Sequence, residues 1–149
     1  EDFDYFIPLG KAKVVRPGSR LTVLTYLAMT PLAVKVADEA GLDVEVVDLR
    51  SLDRAGLDWD TIGASIRKTN NVVVLEQGGL SVSYGAMLTD EIQRRFFDWL
   101  DAPVGRIHGG EASPSVSKVL ERAAYVGEEE VRAGFIRALA ETGRKLAAE

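Results

Sequence analysis

The chain has 149 residues, 46% hydrophobic and 28% charged, with a formal net charge of −5, which is the length and balance of one ordinary globular domain. It has no cysteine, which excludes disulfides, thiolate catalysis and thiolate metal sites, and its single histidine, His108, excludes a multi-histidine metal centre. The acidic balance with no basic stripe argues against a nucleic-acid partner, and no apolar run approaches the roughly 18 residues that a membrane span needs.

The opening EDFDYFIPLGKA reads as an extended lead-in, because Pro8 and Gly10 oppose regular structure, and its acidic, aromatic start is unlike a signal peptide. Beginning at Glu1 rather than Met suggests a trimmed product or a piece of something longer. AKVVRPG then reads as a short strand closed by a Pro-Gly turn. Leu21 to Leu27, LTVLTYL, is a near-continuous apolar run rich in β-branched residues, the pattern of a strand covered on both faces. TPLAVKVADEAG predicts a helix capped by Thr30, with Pro31 first and Gly41 past its end, carrying Leu32, Val36, Ala37 and Ala40 on one stripe.

VEVVDL is a second buried strand, followed by a helix capped by Asp58 or Asp60 and running through Lys68, with Ile62 and Ile66 inward. Asn71 to Glu76, NVVVLE, is a third. After the loop QGGLSVS the spacing predicts a helix over Tyr84 to Leu100 with Leu88, Ile92, Phe96 and Trp99 on one stripe. A fourth buried strand falls around Val104 to Ile107. The tail GEEEVRAGFIRALAETGRKLAAE is a helix with acids at its start and Arg144 and Lys145 near its end, which suits the helix dipole. Strands alternating with helices in this way give a three-layer α/β/α domain with five strands, mostly parallel.

Ligands of open parallel sheets sit beyond the carboxyl ends of the strands. Those ends carry Thr25-Tyr26, Asp48-Leu49-Arg50, Glu76-Gln77-Gly78-Gly79 and His108-Gly109-Gly110. The loop EQGGLSVSYG could offer backbone N–H groups to a phosphate, but it matches neither common phosphate-loop pattern, and Glu76 would repel an anion. A tight turn with a subunit contact is the better reading. His108 has no evident carboxylate or nucleophile to work with and reads as a hydrogen-bonded rim residue. Asp48 and Arg50 read as a structural ion pair or capping contact rather than a catalytic pair. Asp53, Asp58 and Asp60 lack the regular spacing of a calcium loop.

The motifs IPLGKAKVVRPG, LTVLTY, VEVVDLRSL, DWDTIGASIRKTNNVVVLEQGG, YGAMLTDEI and LDAPVGRI, in this order, resemble the C-terminal domain of the beta subunits of thiamine-dependent 2-oxoacid dehydrogenases, such as pyruvate, branched-chain and acetoin dehydrogenases. More broadly they resemble the C-terminal domain shared with transketolase. The likeness runs from about Ile7 to Leu139, and DLRSL followed by KTNNVVVLE is its most specific part. Three places depart from the family pattern: DRAGLD is longer and has no proline, Met87 stands where relatives usually carry an acid, and Gly109 to Gly127 holds a single proline.

The resemblance implies a transketolase C-terminal-like domain over residues 11–149, with residues 1–10 the end of an interdomain linker. It implies one antiparallel strand in the sheet. It also implies a role in assembly and docking within a complete enzyme that decarboxylates a 2-oxoacid and passes the acyl group to a lipoyl carrier. Thiamine diphosphate and magnesium would be held by other parts of that enzyme, with no cofactor, metal or catalytic residue in this chain. The implied partners are an alpha subunit or domain, a second beta copy and the dihydrolipoyl acyltransferase core, in a bacterial cytoplasm or a mitochondrial matrix. The interface candidates are Asp48, Arg50, Glu76, Gly78, Gly79, Tyr84 and Trp99, with Phe3, Tyr5, Phe6 and Phe97 as further apolar surface. A freestanding small-ligand module using Gln77 to Ser83, or the C-terminal domain of another transketolase-like enzyme, remain the alternatives.

Overall fold

A computed structural model describes residues 5–81, 83–111 and 116–146, and side chains as far as Thr142. Phe3 and the side chains of Arg144 and Lys145 lie outside what is described. The elements run β1 (Lys13–Arg16), β2 (Thr22–Thr25), α1 (Met29–Glu39), β3 (Glu45–Asp48), α2 (Trp59–Thr69), β4 (Val72–Leu75) and α3 (Tyr84–Phe96). A 3-10 turn over Phe97–Trp99, β5 (Gly105–Ile107), α4 (Lys118–Ala124) and α5 (Glu128–Leu146) complete the chain.

The sheet has five strands in the order β1-β3-β2-β4-β5. Strands β3, β2, β4 and β5 are parallel to one another, and β1 alone runs antiparallel, against β3. The apolar runs that read as buried strands are buried because both faces are covered. Along β4, Val73 and Leu75 enter one core with Val36, Val131 and Phe135 of α1 and α5. Their neighbours Val72 and Val74 enter the other, with Ile62, Ile66, Leu88, Ile92 and Phe96 of α2 and α3. Side chains alternate across a strand, so each strand feeds both layers. Each fully buried aliphatic side chain contributes about 1.5–3 kcal/mol. The three-layer α/β/α arrangement is therefore what the sequence pattern implies.

Three details differ from the sequence reading, and one alternative it left open is decided. Helix α1 begins at Met29 with Ala28 as its cap, rather than at Pro31 behind a Thr30 cap. Leu27 takes φ 52° and turns the chain early, so that Met29 and Thr30 donate to the carbonyls of Tyr26 and Leu27. Pro31 still falls in the first turn, where its missing N–H removes no helical bond. Of the two candidate caps of α2 it is Asp58 that serves, accepting from Thr61 N–H at 3.2 Å. The helix predicted to run to Leu100 ends at Phe96 and tightens into the 3-10 turn, which swings Trp99 out to 46% exposure while Phe96 stays buried. Helix α4 was not predicted. It is seven residues long with no buried residue and no side-chain cap, so neither stripe nor cap marks it in the sequence.

The lead-in is tied to the domain from Gly10 onward. Gly10 sits at φ 68° and donates to Ser51 Oγ at 2.9 Å, and Ala12 N–H donates to Asp58 at 3.1 Å. A Cβ on Gly10 would lie 2.9 Å from the Gly56 carbonyl, so both the turn and the close approach require glycine.

Candidate functional site

Strand β2 sends its connection through α1 to β3 on one side, and β4 sends its own through α3 to β5 on the other. The carboxyl ends of β2 and β4 therefore flank the topological switch point, where open α/β sheets place their ligands. Here Tyr26 follows β2, Glu76 follows β4, and the Tyr26 hydroxyl donates to Glu76 Oε2 at 3.1 Å across that point.

Glu76 is 1% exposed and gathers four donors. Besides Tyr26, its carboxylate accepts from Ser83 Oγ at 2.7 Å, Gly85 N–H at 2.8 Å and Arg106 Nη2 at 2.8 Å. Arg106 also donates to Ser83 Oγ at 2.7 Å and to the Leu80 carbonyl at 3.0 Å, which pins the loop after β4. Desolvating a carboxylate is expensive unless its charge is paired and its lone pairs are filled, and both conditions are met. Gly85 is needed for this approach, because a Cβ there would fall 2.2 Å from Glu76 Oε1. The Tyr26 phenol is pushed far above its ordinary range by burial, then by the charge and hydrogen bond of Glu76, so it stays a neutral donor. Tyr84 packs edge-on against Tyr26 with ring centroids 6.0 Å apart. Burial, with the charge of Asp53 adding to it, raises the Tyr84 phenol as well.

The consequence for chemistry is direct. Helix α3 begins at Tyr84, and its start is where a phosphate would bind in a fold of this kind. The Glu76 carboxylate already occupies the Gly85 N–H from inside the protein. A diphosphate does not fit there. His108 turns its Nδ1 to the Gly109 carbonyl at 2.7 Å rather than to a carboxylate or nucleophile.

The candidates from the sequence separate into three places. Glu76, Gly78, Gly79 and Tyr84 come together at the carboxyl end of β4. Of these Glu76 is interior, Gly78 is exposed with its carbonyl accepting from Gly109 N–H at 2.9 Å, and Gly79 approaches the Gly110 carbonyl. Asp48 and Arg50 lie at the carboxyl end of β3. They form no side-chain ion pair. The Asp48 carboxylate accepts the backbone N–H of Arg50 at 3.1 Å, and Arg50, at φ 57°, is exposed with its guanidinium free of Asp48. Trp99 lies at the opposite, amino end of the sheet, where its carbonyl accepts from the Asn70 side chain at 2.7 Å and Arg67 stacks 5.6 Å from its ring. Asp58 is committed to structure: burial works against its charge, but hydrogen bonds from Thr61 and Ala12 and the charge of Lys11 outweigh it and hold the carboxyl below the usual range. The sequence reading did not single out Arg106 or Ser83. The available signal was a lone arginine inside the apolar strand segment VGRI, which demands a buried acid somewhere else in the chain.

Residues 10–131 match the family model described as "Transketolase, C-terminal domain". Over 135 residues the chain is 41% identical to the 2-oxoisovalerate dehydrogenase subunit beta of Pseudomonas aeruginosa, spanning 91% of this chain and 37% of that protein. It is 35% identical to the pyruvate dehydrogenase E1 component subunit beta of Rickettsia felis, spanning 84% of this chain and 39% of that protein. The chain thus spans well under half the length of these relatives. Among solved structures it resembles an inactive β4 tetramer of a split-gene transketolase with a TM-score of 0.74 over 93% of this chain and 44% of that one, at 21% identity, a likeness of fold alone. By sequence and by fold, the chain belongs to the transketolase C-terminal domain family.

Proposed function

We propose that this chain is the C-terminal assembly and docking part of a thiamine-dependent 2-oxoacid dehydrogenase component, acting on pyruvate or a branched-chain 2-oxoacid and delivering an acyl group to a lipoyl carrier. The observation that carries this reading is the state of Glu76 and Arg106. The groups at the switch point that most resemble catalytic machinery are bonded to one another, with Glu76 buried and Arg106 half-buried. What the chain offers outward instead is apolar and aromatic: Tyr5, Phe6, Leu9, Phe97 at 68% exposure, and Trp99. Exposed apolar surface of this kind marks contact with other proteins.

On this reading thiamine diphosphate and magnesium belong to other parts of the complete enzyme, and the chain is inactive by itself. Its partners are an alpha subunit, a second beta copy and the acyltransferase core, in a bacterial cytoplasm or a mitochondrial matrix. Among the described residues no helix is long and apolar enough to cross a membrane. The interface is proposed to include Asp48, Arg50, Gly78, Gly79, Tyr84 and Trp99, with Glu76 acting from beneath as the support of the loop. Residues 1–10 serve as the interdomain lead-in and 11–149 as the domain. Sedimentation of the full gene product with its alpha-type companion tests the reading. A complex of defined stoichiometry is expected, and two species that sediment independently at micromolar concentration would refute it.

A further inference from the structure

We infer that the loop between β3 and α2 clamps the chain at Gly10 and Ala12, so that residues 5–9 leave the domain as a directed arm rather than as a free tether. This device does not depend on the assembly reading above. The clamp has two jaws. In the first, Gly10 N–H donates to Ser51 Oγ at 2.9 Å, and the same glycine lies so near the Gly56 carbonyl that a Cβ would meet it at 2.9 Å. In the second, Ala12 N–H donates to Asp58 Oδ2 at 3.1 Å, while Lys11 Nζ stands 3.7 Å from Oδ1 of the same carboxylate. Strand β1 begins at the next residue, Lys13.

A clamp sets a direction only if its own frame is fixed. Leu57 and Asp58 are buried, and Asp58 also accepts Thr61 N–H in the first turn of α2. Within the loop Gly56 N–H donates to the Asp53 carbonyl at 3.0 Å, and Arg54 ties the loop to Glu91 of α3 at 2.7 Å. Upstream of Gly10, Pro8 fixes its own φ and holds Ile7 extended, which carries stiffness from the clamp back along the arm. The side chains of Tyr5, Phe6, Ile7 and Leu9 are exposed and enter neither core, so they do not orient the segment. Its direction is set by the two backbone bonds. Releasing both moves the pivot from Gly10 to the start of β1 and leaves a longer, freer linker.

Spin labels at Phe6→Cys and Ala64→Cys, the second on the exposed face of α2, read that direction as a distance distribution. The full gene product is used with any other cysteines replaced; this chain contributes none. With the clamp intact, one narrow distribution is expected. Ser51→Ala combined with Asp58→Ala should widen it about twofold, and Ser51→Ala alone should fall between. Thr61→Ala loses a hydroxyl bond to Asp58 but no bond to the lead-in, and should keep the narrow distribution. A broad distribution with the clamp intact overturns the inference, as does an unchanged width in the double variant. Equal widening in Thr61→Ala would place the effect in α2 and overturn it too. Should the double variant fail to fold, Ser51→Ala decides alone, and an unchanged width there overturns the inference.

Discussion

Arg106 Nη2 lies 2.8 Å from Glu76 Oε1, an ion pair between two parallel strands whose acid is 1% exposed and whose arginine also holds the Leu80 carbonyl and Ser83. Removing one member strands the other's charge in the interior. Arg106→Met is therefore expected to cost about 3–5 kcal/mol of unfolding free energy. In a double-mutant cycle with Glu76→Gln, measured by denaturant unfolding, the coupling should exceed about 1 kcal/mol. Strictly additive losses would show that the pair does not act as a unit.

Gly85 is the residue over which that carboxylate reaches, with room for no side chain. Gly85→Ala must displace either the helix start or Glu76, and overpacking of this kind costs about 1–3 kcal/mol. Although alanine is the better helix former, the expected sign is destabilising. A raised melting temperature would mean that Glu76 does not sit at the start of α3.

Asp58 joins the lead-in to α2 and holds its proton less tightly when folded than when unfolded. Its stabilisation is then fully present above its unfolded pKa of about 3.9 and is lost as pH falls through the lower folded value. Asp58→Ala should cost about 1–2 kcal/mol at neutral pH, the scale of a lost helix cap. Unfolding titrations between pH 2 and pH 6 should show a shallower acid slope for Asp58→Asn. An unchanged slope would assign the acid sensitivity to other carboxylates.

The rival reading of a freestanding ligand module predicts that phosphate-bearing small molecules stabilise the chain. A ligand at a hundred times its dissociation constant adds about 2.7 kcal/mol. With Glu76 at the Gly85 N–H, pyrophosphate and nucleotides should leave the melting temperature unmoved. A saturable rise that disappears in Gly79→Val would favour the module.

Much of the architecture was legible because it depends on local pattern. The runs TVLT, EVVD and VVVL are apolar and β-branched because both faces of the sheet are covered, and Asp58 is a cap whose partner is three residues away. What escaped depends on distance along the chain or on a turn with no signature. That Glu76 would oppose an anion was legible, but its pairing with Arg106 was not, because the two are 30 residues apart. Asp48 and Arg50 read as an ion pair or a helix-capping contact, because spacing does not reveal a left-handed backbone at Arg50 or the bond from its N–H to Asp48. Trp99 shared the stripe of Phe96 until the helix tightened, and α4, with no buried residue, left no pattern to find.

The central claim is that this chain contributes contact surface while the reacting groups belong to the rest of the enzyme. Decarboxylation of pyruvate and of a branched-chain 2-oxoacid, assayed with thiamine diphosphate and magnesium, tests it on the isolated chain and on the assembled enzyme side by side. The account predicts no turnover by the chain alone and turnover by the assembly. Turnover by the isolated chain would contradict it.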